Sequence, residues 1–299
     1  MVLKNVGITG GSGLLGTHIV KYLLKKKVKI IATYRKKIPF KHKDITWVKI
    51  DLSKLSKDRD FFKYFKKIDG LILNAATTKV IDNKKIYLKD IISTENLSEW
   101  CLSNKIPLAY MSGSIVYKIN KKKYIFENYN FSNNPIGKYY GLSKIKCEEI
   151  IKQKRKRGLK AIILRPTSIY GINQNSKKLL NKIKDNILKK TPIKLFKKQE
   201  KINLIHASDV AKALYKLFCK EKFGNFNLSF KTNYDLRDVV MISSKVYKIK
   251  SKLVYSNKKN NGKHIQYKLN TNKVFKAINW LPKISLVNGL KLILKKRYY

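Results

Sequence analysis

The run Thr9-Gly10-Gly11-Ser12-Gly13-Leu14-Leu15-Gly16 sits between an apolar stretch, Val6-Gly7-Ile8-Thr9, and a segment with helical periodicity. Glycines at this spacing, between a strand and a helix, leave few folds open. Gly10 makes the tight turn, Gly13 lets backbone N–H groups approach a pyrophosphate, and Gly16 lets the helix pack close on a sheet. Downstream, Leu15, Ile19, Leu23 and Leu24 recur at helical spacing while Lys21, Lys25 and Lys26 take other faces. The strand–turn–helix context converts a glycine pattern into a dinucleotide-binding expectation. Gly10, Gly13, Leu14, Leu15 and Gly16 are therefore the first candidate cofactor-binding residues.

Further short apolar strands follow at residues 30–33, 47–50, 71–73, 107–111 and 161–164, with helical segments between them. This alternation predicts an α/β fold, a doubly wound parallel Rossmann sheet with right-handed crossovers. After Tyr170-Gly171 the rhythm changes. Residues 176–190 read as a basic helix, 202–206 as a strand, and 209–220 as an amphipathic helix carrying Val210, Leu214, Leu217 and Phe218. The expected division is a dinucleotide-binding domain over 1–170, to which about 200–230 return. A smaller, interleaved C-terminal substrate domain takes 171–199 and 231–299.

Lysine and arginine number 68 against 18 acids in 299 residues, a net charge of +50. Lysine is spread almost everywhere, and its short clusters (Lys25-Lys26-Lys27, Lys121-Lys122-Lys123, Lys154-Arg155-Lys156-Arg157, Lys295-Lys296-Arg297) fall at expected helix ends and loops. Cations are comfortable there beside carbonyl dipoles, so these clusters read as solvated surface. Such a field attracts phosphate-bearing substrates, and RNA nonspecifically at low salt; no specific nucleic-acid partner is expected. No run approaches the roughly 18 apolar residues of a membrane span, and residues 1–5 enter the first strand without a signal-peptide core. A cytoplasmic protein is expected. Cys101, Cys147 and Cys219 fit no metal or redox spacing, Cys101 and Cys147 read as small buried hydrophobes, and no metal is expected.

The second informative stretch is Tyr140-Gly141-Leu142-Ser143-Lys144, which puts a phenol and an ammonium on one helical face. A phenol titrates near 10 in water, a poor acid–base value at neutral pH, and a neighbouring cation together with a positive nicotinamide ring favours the phenolate and brings it down. Tyr139 reads as a packing residue, and His206, after an apolar strand, as a hydrogen-bonded structural one. Beyond the second strand stand Thr33-Tyr34-Arg35-Lys36-Lys37, with no acid to receive an adenosine ribose. A carboxylate would repel a 2′-phosphate, whereas Arg35 can clamp one, so NADP is favoured and NAD is the alternative. Asp51-Leu52 after the third strand is placed to receive the adenine. Asn74-Ala75-Ala76 after the fourth puts small residues where backbone passes the cofactor ribose. Residues 118–138 form a long polar-aromatic loop (Tyr124, Phe126, Tyr129, Phe131) that reads as a lid.

These residues together resemble the extended short-chain dehydrogenase/reductase superfamily, in particular its nucleotide-sugar epimerases, dehydratases and reductases. The resemblance runs from Thr9–Gly16 through Asp51-Leu52, Asn74-Ala75-Ala76, Ser112–Tyr117, Tyr140–Lys144 with Glu148, Arg165-Pro166 to Tyr170-Gly171. It continues through residues 205–211 and 224–228. It implies Tyr140 as acid–base catalyst, Lys144 as binder of the nicotinamide ribose and tuner of Tyr140, and homodimerisation through two helices of the Rossmann domain. It also implies a Ser or Thr at the end of the fifth strand to hold the reacting oxygen. This chain departs there: Gly113 falls at that position, flanked by Ser112 and Ser114, of which Ser114 lies nearer the strand's open end. The acids that dehydratases carry just beyond are absent from Ser114-Ile115-Val116. The expected activity is NADP-dependent reduction of a 4-keto group on a nucleotide-linked sugar, with Tyr140 as proton donor. The alternatives are a nucleotide-sugar 4-epimerase with tightly bound NAD and, from another class, an NADP- or RNA-binding protein with dispensable catalysis.

Overall fold

The structure is a computed structural model that describes all residues except 53–59, 78–82, 119–123, 136, 175–177, 197–200, 257–267, 297 and 299. In the first half β1 (Asn5–Thr9), α1 (Leu14–Lys25), β2 (Lys29–Tyr34), β3 (Ile45–Lys49), α2 (Asp60–Tyr64), β4 (Gly70–Leu73), α3 (Lys84–Ser103), β5 (Leu108–Met111), α4 (Tyr139–Lys156) and β6 (Ala161–Pro166) follow one another. The second half holds β7 (Ser168–Tyr170), α5 (Leu179–Leu188), β8 (Ile193–Phe196), β9 (Ile202–His206), α6 (Ala207–Cys219) and β10 (Gly224–Leu228). It closes with β11 (Asn233–Tyr234), α7 (Leu236–Tyr247), β12 (Leu253–Ser256), α8 (Asn272–Ile278) and α9 (Leu286–Leu294).

Seven strands make one sheet in the order β10-β6-β5-β4-β1-β2-β3, and every pair in it is parallel. Parallel neighbours need crossovers, and the crossovers cover both faces. The strands' period-two alternation divides the core accordingly. Ile72, Ala109 and Ile162 enter the cluster built with Leu15, Ile19 and Leu23 of α1 and Val210, Leu214 and Leu217 of α6. Their neighbours Leu71, Leu73, Leu108 and Ile163 enter the cluster with Leu97 and Cys101 of α3 and Cys147 and Ile151 of α4. Cys101 and Cys147 are buried free thiols, as their sequence context predicts. The doubly wound parallel sheet expected from the alternation is thus present.

The winding reverses between β1 and β4, which places a crevice outside their carboxyl ends. A third cluster joins Tyr170, Ile183, Leu195, Leu204, Val240 and Leu290 from β7, α5, β8, β9, α7 and α9. A three-stranded sheet, β11-β9-β7, and the pair β12-β8 accompany it. Helix α6 begins at Ala207 and not at Asp209, because the His206 side chain accepts a hydrogen bond from Ser208 N–H and so caps the helix two residues early.

One surface assignment needs correction. Lys154 is 3% exposed and its ammonium pairs with both Glu95 and Glu99 of α3, while Arg157 forks onto Glu99 at 2.9 and 3.0 Å. Lys154 thus clamps α4 to α3, while Lys156 and Arg157 of the same cluster are exposed. Lys121-Lys122-Lys123 and Arg297 lie outside the described residues. Among the described residues, no helix is long and apolar enough to cross a membrane.

Candidate active site

The glycine turn closes the crevice on its β1 side. Gly10 adopts φ +66, which a side chain resists, and a Cβ there would stand 2.8 Å from Ala75 Cα. A Cβ on Gly16 would stand 2.1 Å from Gly10 O, so helix α1 sits as close to the turn as it does only because that position is bare. Gly10 N–H donates to Thr33 Oγ1 at 2.9 Å and Gly11 N–H to Thr33 O at 2.9 Å, which fastens the turn to β2. On the other side Asn74 Nδ2 donates to Gly10 O at 3.0 Å, and Thr9 Oγ1 accepts from Asn74 N–H and Ala75 N–H at 3.1 Å each. The predicted residues Gly10, Gly13, Gly16, Asn74, Ala75 and Ala76 are therefore brought to one edge by direct bonds between β1 and β4.

Helix α1 starts at Gly13 with no side-chain cap and no acid in its first turn. Helices α4, α5 and α8 likewise have no side-chain cap, whereas α3, α6, α7 and α9 carry caps from Asn83, His206, Asp235 and Ser285. Uncapped amides at the positive end of a twelve-residue helix suit an anion. Leu14 is half-buried and Leu15 buried against the sheet. Arg35 is exposed just past the end of β2, Asp51 is exposed past β3, and Leu52 beside it packs partly into the core.

Tyr140 and Lys144 lie in the first turns of α4, the lysine ammonium 6.0 Å from the centre of the phenol ring. Lys144 is 4% exposed, donates to Met111 O at 2.8 Å and stands 4.8 Å over the Tyr110 ring. Burial lowers its pKa, opposed by the charges of Cys147, Asp90 and Glu148. Burial, then the charge of Asp90 and then Tyr87, pushes the phenol up to about 12. Desolvation of the phenolate is the largest of these effects. Tyr139 beside it is half-buried with the Lys138 ammonium 4.6 Å above its ring.

Past β5 the two candidate serines take different parts. Ser112 Oγ donates to Glu148 Oε1 at 2.6 Å, and Glu148 in turn is held by Arg165 Nε and Nη2. Arg165 also donates to Tyr117 OH at 2.6 Å and to Glu127 O at 2.8 Å, and Tyr117 OH donates to Asn227 Oδ1 at 2.7 Å. Arg165 and Glu148 are each 0% exposed, so this is a buried network joining α4, β6 and β10. Ser114 opens a 3-10 turn over Ser114–Val116, is 8% exposed, and makes no side-chain hydrogen bond to a described residue. Gly113 between them has extended backbone, and a Cβ there would meet only Ile115 and Pro166 at 3.7 and 3.8 Å.

The sequence reading missed Asp90. This α3 carboxylate accepts from Thr77 N–H at 2.8 Å and from Thr77 Oγ1 at 3.3 Å, directly after the Asn74-Ala75-Ala76 wall. One turn before it, Tyr87 lies 6.3 Å ring to ring from Tyr140. The available signal was scarcity, since the chain holds only 18 acids.

Residues 119–123 and 136 of the polar-aromatic loop over 118–138 lie outside the described residues. Within the remainder Ile125 is fully buried and bridges Leu269, Glu127 Oε1 accepts from Asn227 N–H at 2.9 Å, and Tyr117 bridges Phe131, while Tyr124 and Phe126 are exposed. A cavity of about 830 Å³ lies beside Tyr124, Asn203, Lys231, Lys268 and Lys283 and contains none of the predicted site residues. Among the described residues, no group of three or more His, Cys, Asp or Glu side chains is gathered as a metal would need.

Comparison with known proteins extends these findings. A family model described as the NAD dependent epimerase/dehydratase family matches residues 6–229. A protein of Methanocaldococcus jannaschii, provisionally named a UDP-glucose 4-epimerase, is 28% identical over 302 residues that cover 96% of each chain. The UDP-glucose 4-epimerase of Thermotoga maritima, solved with UDP-glucose, superposes with a TM-score of 0.85 at 20% identity, over 98% of this chain and 99% of that one. The UDP-glucuronic acid 4-epimerase of Bacillus cereus, solved with NAD, gives 0.83 at 19% identity, over 99% and 100%.

Proposed function

The chain belongs to the NAD dependent epimerase/dehydratase family, and from that premise we propose that it is a nucleotide-sugar 4-epimerase. The observation that carries the reading is the joining of two features at one sheet edge. These are the bare glycine turn fastened to Asn74, and the Tyr140–Lys144 pair anchored at the end of β5. The cradle fits a nicotinamide dinucleotide: Gly10 and Gly16 leave space that a Cβ would fill, and the α1 amides stand uncapped for a pyrophosphate. When bound, that group accepts a hydride from the sugar and returns it. The chain's own residues do the rest. Tyr140 takes the proton of the sugar's 4-hydroxyl as the hydride leaves and gives it back to the 4-oxygen when the hydride returns. Lys144, fixed by Met111 O, presents its charge to the nicotinamide ribose. Ser114, whose hydroxyl is uncommitted to any described residue, orients the 4-oxygen in place of the hydroxyl missing at Gly113, while Ser112 braces Glu148. Cations of the C-terminal region neutralise the nucleotide diphosphate.

Arg35 favours a second reading, an NADP-dependent 4-keto reductase, because it stands past β2 where an acid would repel a 2′-phosphate. Calorimetric titration with NAD and NADP at physiological salt, on the chain and on Arg35→Ala, decides between them. Cofactor retained through purification, with interconversion of UDP-sugar 4-epimers and no net cofactor consumption, supports the epimerase. Tight NADP binding that is lost in Arg35→Ala supports the reductase. Binding of neither cofactor refutes both.

A further inference from the structure

Tyr298 lies in the segment that follows α9, yet its contacts are with the first helix and the chain just after β7. Its ring packs on that of His18 of α1, with centres 4.8 Å apart, and the Lys21 ammonium stands 5.6 Å from its ring centre. Its hydroxyl accepts from Asn173 Nδ2 at 3.0 Å. Asn173 holds a left-handed φ of +65, which asparagine takes more readily than most side chains. The same amide nitrogen reaches Thr17 Oγ1 of α1 at 3.5 Å.

Two routes lead from Tyr298 to the glycine turn. The first runs through Asn173 to Thr17, which is 0% exposed and whose hydroxyl donates to Gly13 O at 2.7 Å. The second runs through Lys21, whose ammonium also stands 3.7 Å over the Phe40 ring. Phe40 packs at right angles on Trp47, and its carbonyl accepts from Trp47 Nε1 at 2.9 Å. Trp47 in turn closes on Gly11, where a Cβ would stand 3.1 Å from its ring. The other end of the segment is held by α9, whose Leu286 and Leu290 belong to the core shared with α5 and α7.

Resting on the reading of the glycine turn as a dinucleotide site, we propose that Tyr298 is a positioning residue for cofactor retention. The segment after α9 acts as a strap that ties the α5–α7–α9 core to the turn and slows departure of the dinucleotide. A turn braced from outside loses less freedom when it takes up its ligand, and the benefit falls mainly on the rate of release. An epimerase returns its hydride within one turnover and so works best with a cofactor that stays.

The test loads the full chain with labelled NAD or NADP, whichever it retains, and follows release into excess unlabelled cofactor. Hydrogen exchange of the α1 amides in the unloaded protein is measured beside it. Tyr298→Phe keeps the ring on His18 and loses the bond to Asn173. Asn173→Gly tolerates the same φ and removes the amide, while Tyr298→Ala removes both ring and hydroxyl. The loss of one hydrogen bond predicts release about threefold to tenfold faster in Tyr298→Phe and in Asn173→Gly. Release is faster still in Tyr298→Ala, and α1 exchange rises in the same order. Added cofactor restores turnover in the variants, which a general loss of folded structure would not allow. Unchanged release and unchanged α1 exchange in a folded Tyr298→Ala protein overturn the proposal. Faster release without turnover of any nucleotide sugar leaves the strap standing and removes the epimerase reading. A folded parent chain that binds neither dinucleotide overturns both.

Discussion

His18 of α1 and His206 at the start of α6 are 1% and 0% exposed, with ring centres 5.2 Å apart and perpendicular. Both bond to Ser208: His18 Nδ1 shares a 2.8 Å bond with Ser208 Oγ, and His206 Nδ1 accepts from Ser208 N–H at 3.2 Å. Burial lowers His18 from 6.5 to about 4. Burial and then the neighbouring His18 lower His206 from 6.5 to about 3. The direction of the linkage follows from these depressed values. Above 6.5 both rings are neutral whether folded or unfolded, and nothing is lost. As pH falls below 6.5 the unfolded chain takes up protons that the folded chain refuses, so stability drains until the folded values are reached. At about pH 4.5, two units below the unfolded midpoint, each ring has cost about 2.5 kcal/mol, or about 5 kcal/mol for the pair. A loss of that size is a large fraction of the stability of an ordinary domain. Urea unfolding at about pH 7 and about pH 4.5, on the parent and on His18→Gln and His206→Asn, measures it. Each variant is expected to lose some stability at neutral pH but to show about 2.5 kcal/mol less acid sensitivity than the parent. His206→Asn retains a cap for α6. Equal acid sensitivity in all three proteins refutes the reasoning.

Gly16→Ala drives a methyl to 2.1 Å from Gly10 O, so the turn must open, and both the melting temperature and cofactor affinity are expected to fall sharply. Gly113→Ser meets only ordinary contacts, so its melting temperature is expected to stay within a few degrees of the parent, with turnover equal or faster. A collapse of Gly113→Ser in thermal unfolding would show that the backbone there is more confined than these contacts allow. Arg165→Met leaves the Glu148 carboxylate buried without its guanidinium and is expected to cost about 3–5 kcal/mol in urea unfolding. The double change Arg165→Met with Glu148→Leu is expected to recover part of that loss, because it removes the stranded charge as well.

Local pattern carried the first half of the molecule. The alternation of short apolar strands with helical segments, the glycine turn between β1 and α1, and the four-residue offset of Tyr140 and Lys144 are each decided within a dozen residues. A parallel sheet admits few ways to connect them. Nearest-neighbour periodicity could not say which charges would be buried. Lys154 looked like surface and is pinned between Glu95 and Glu99, 59 and 55 residues away. Glu148 and Ser112 meet across 36 residues, and Arg165 and Tyr117 across 48. Packing against α3 set the Tyr87 ring 6.3 Å from that of Tyr140, and burial above all raised the phenol's pKa. The sequence by itself determined the alternation of strands and helices in the first half and the places of the glycine turn and of Tyr140 and Lys144 within it, because hydrophobic period and glycine spacing are local properties. Only the tertiary structure decided how strongly each ionisable group holds its proton, because that depends on desolvation and on charges brought within a few ångströms by residues far apart in the chain.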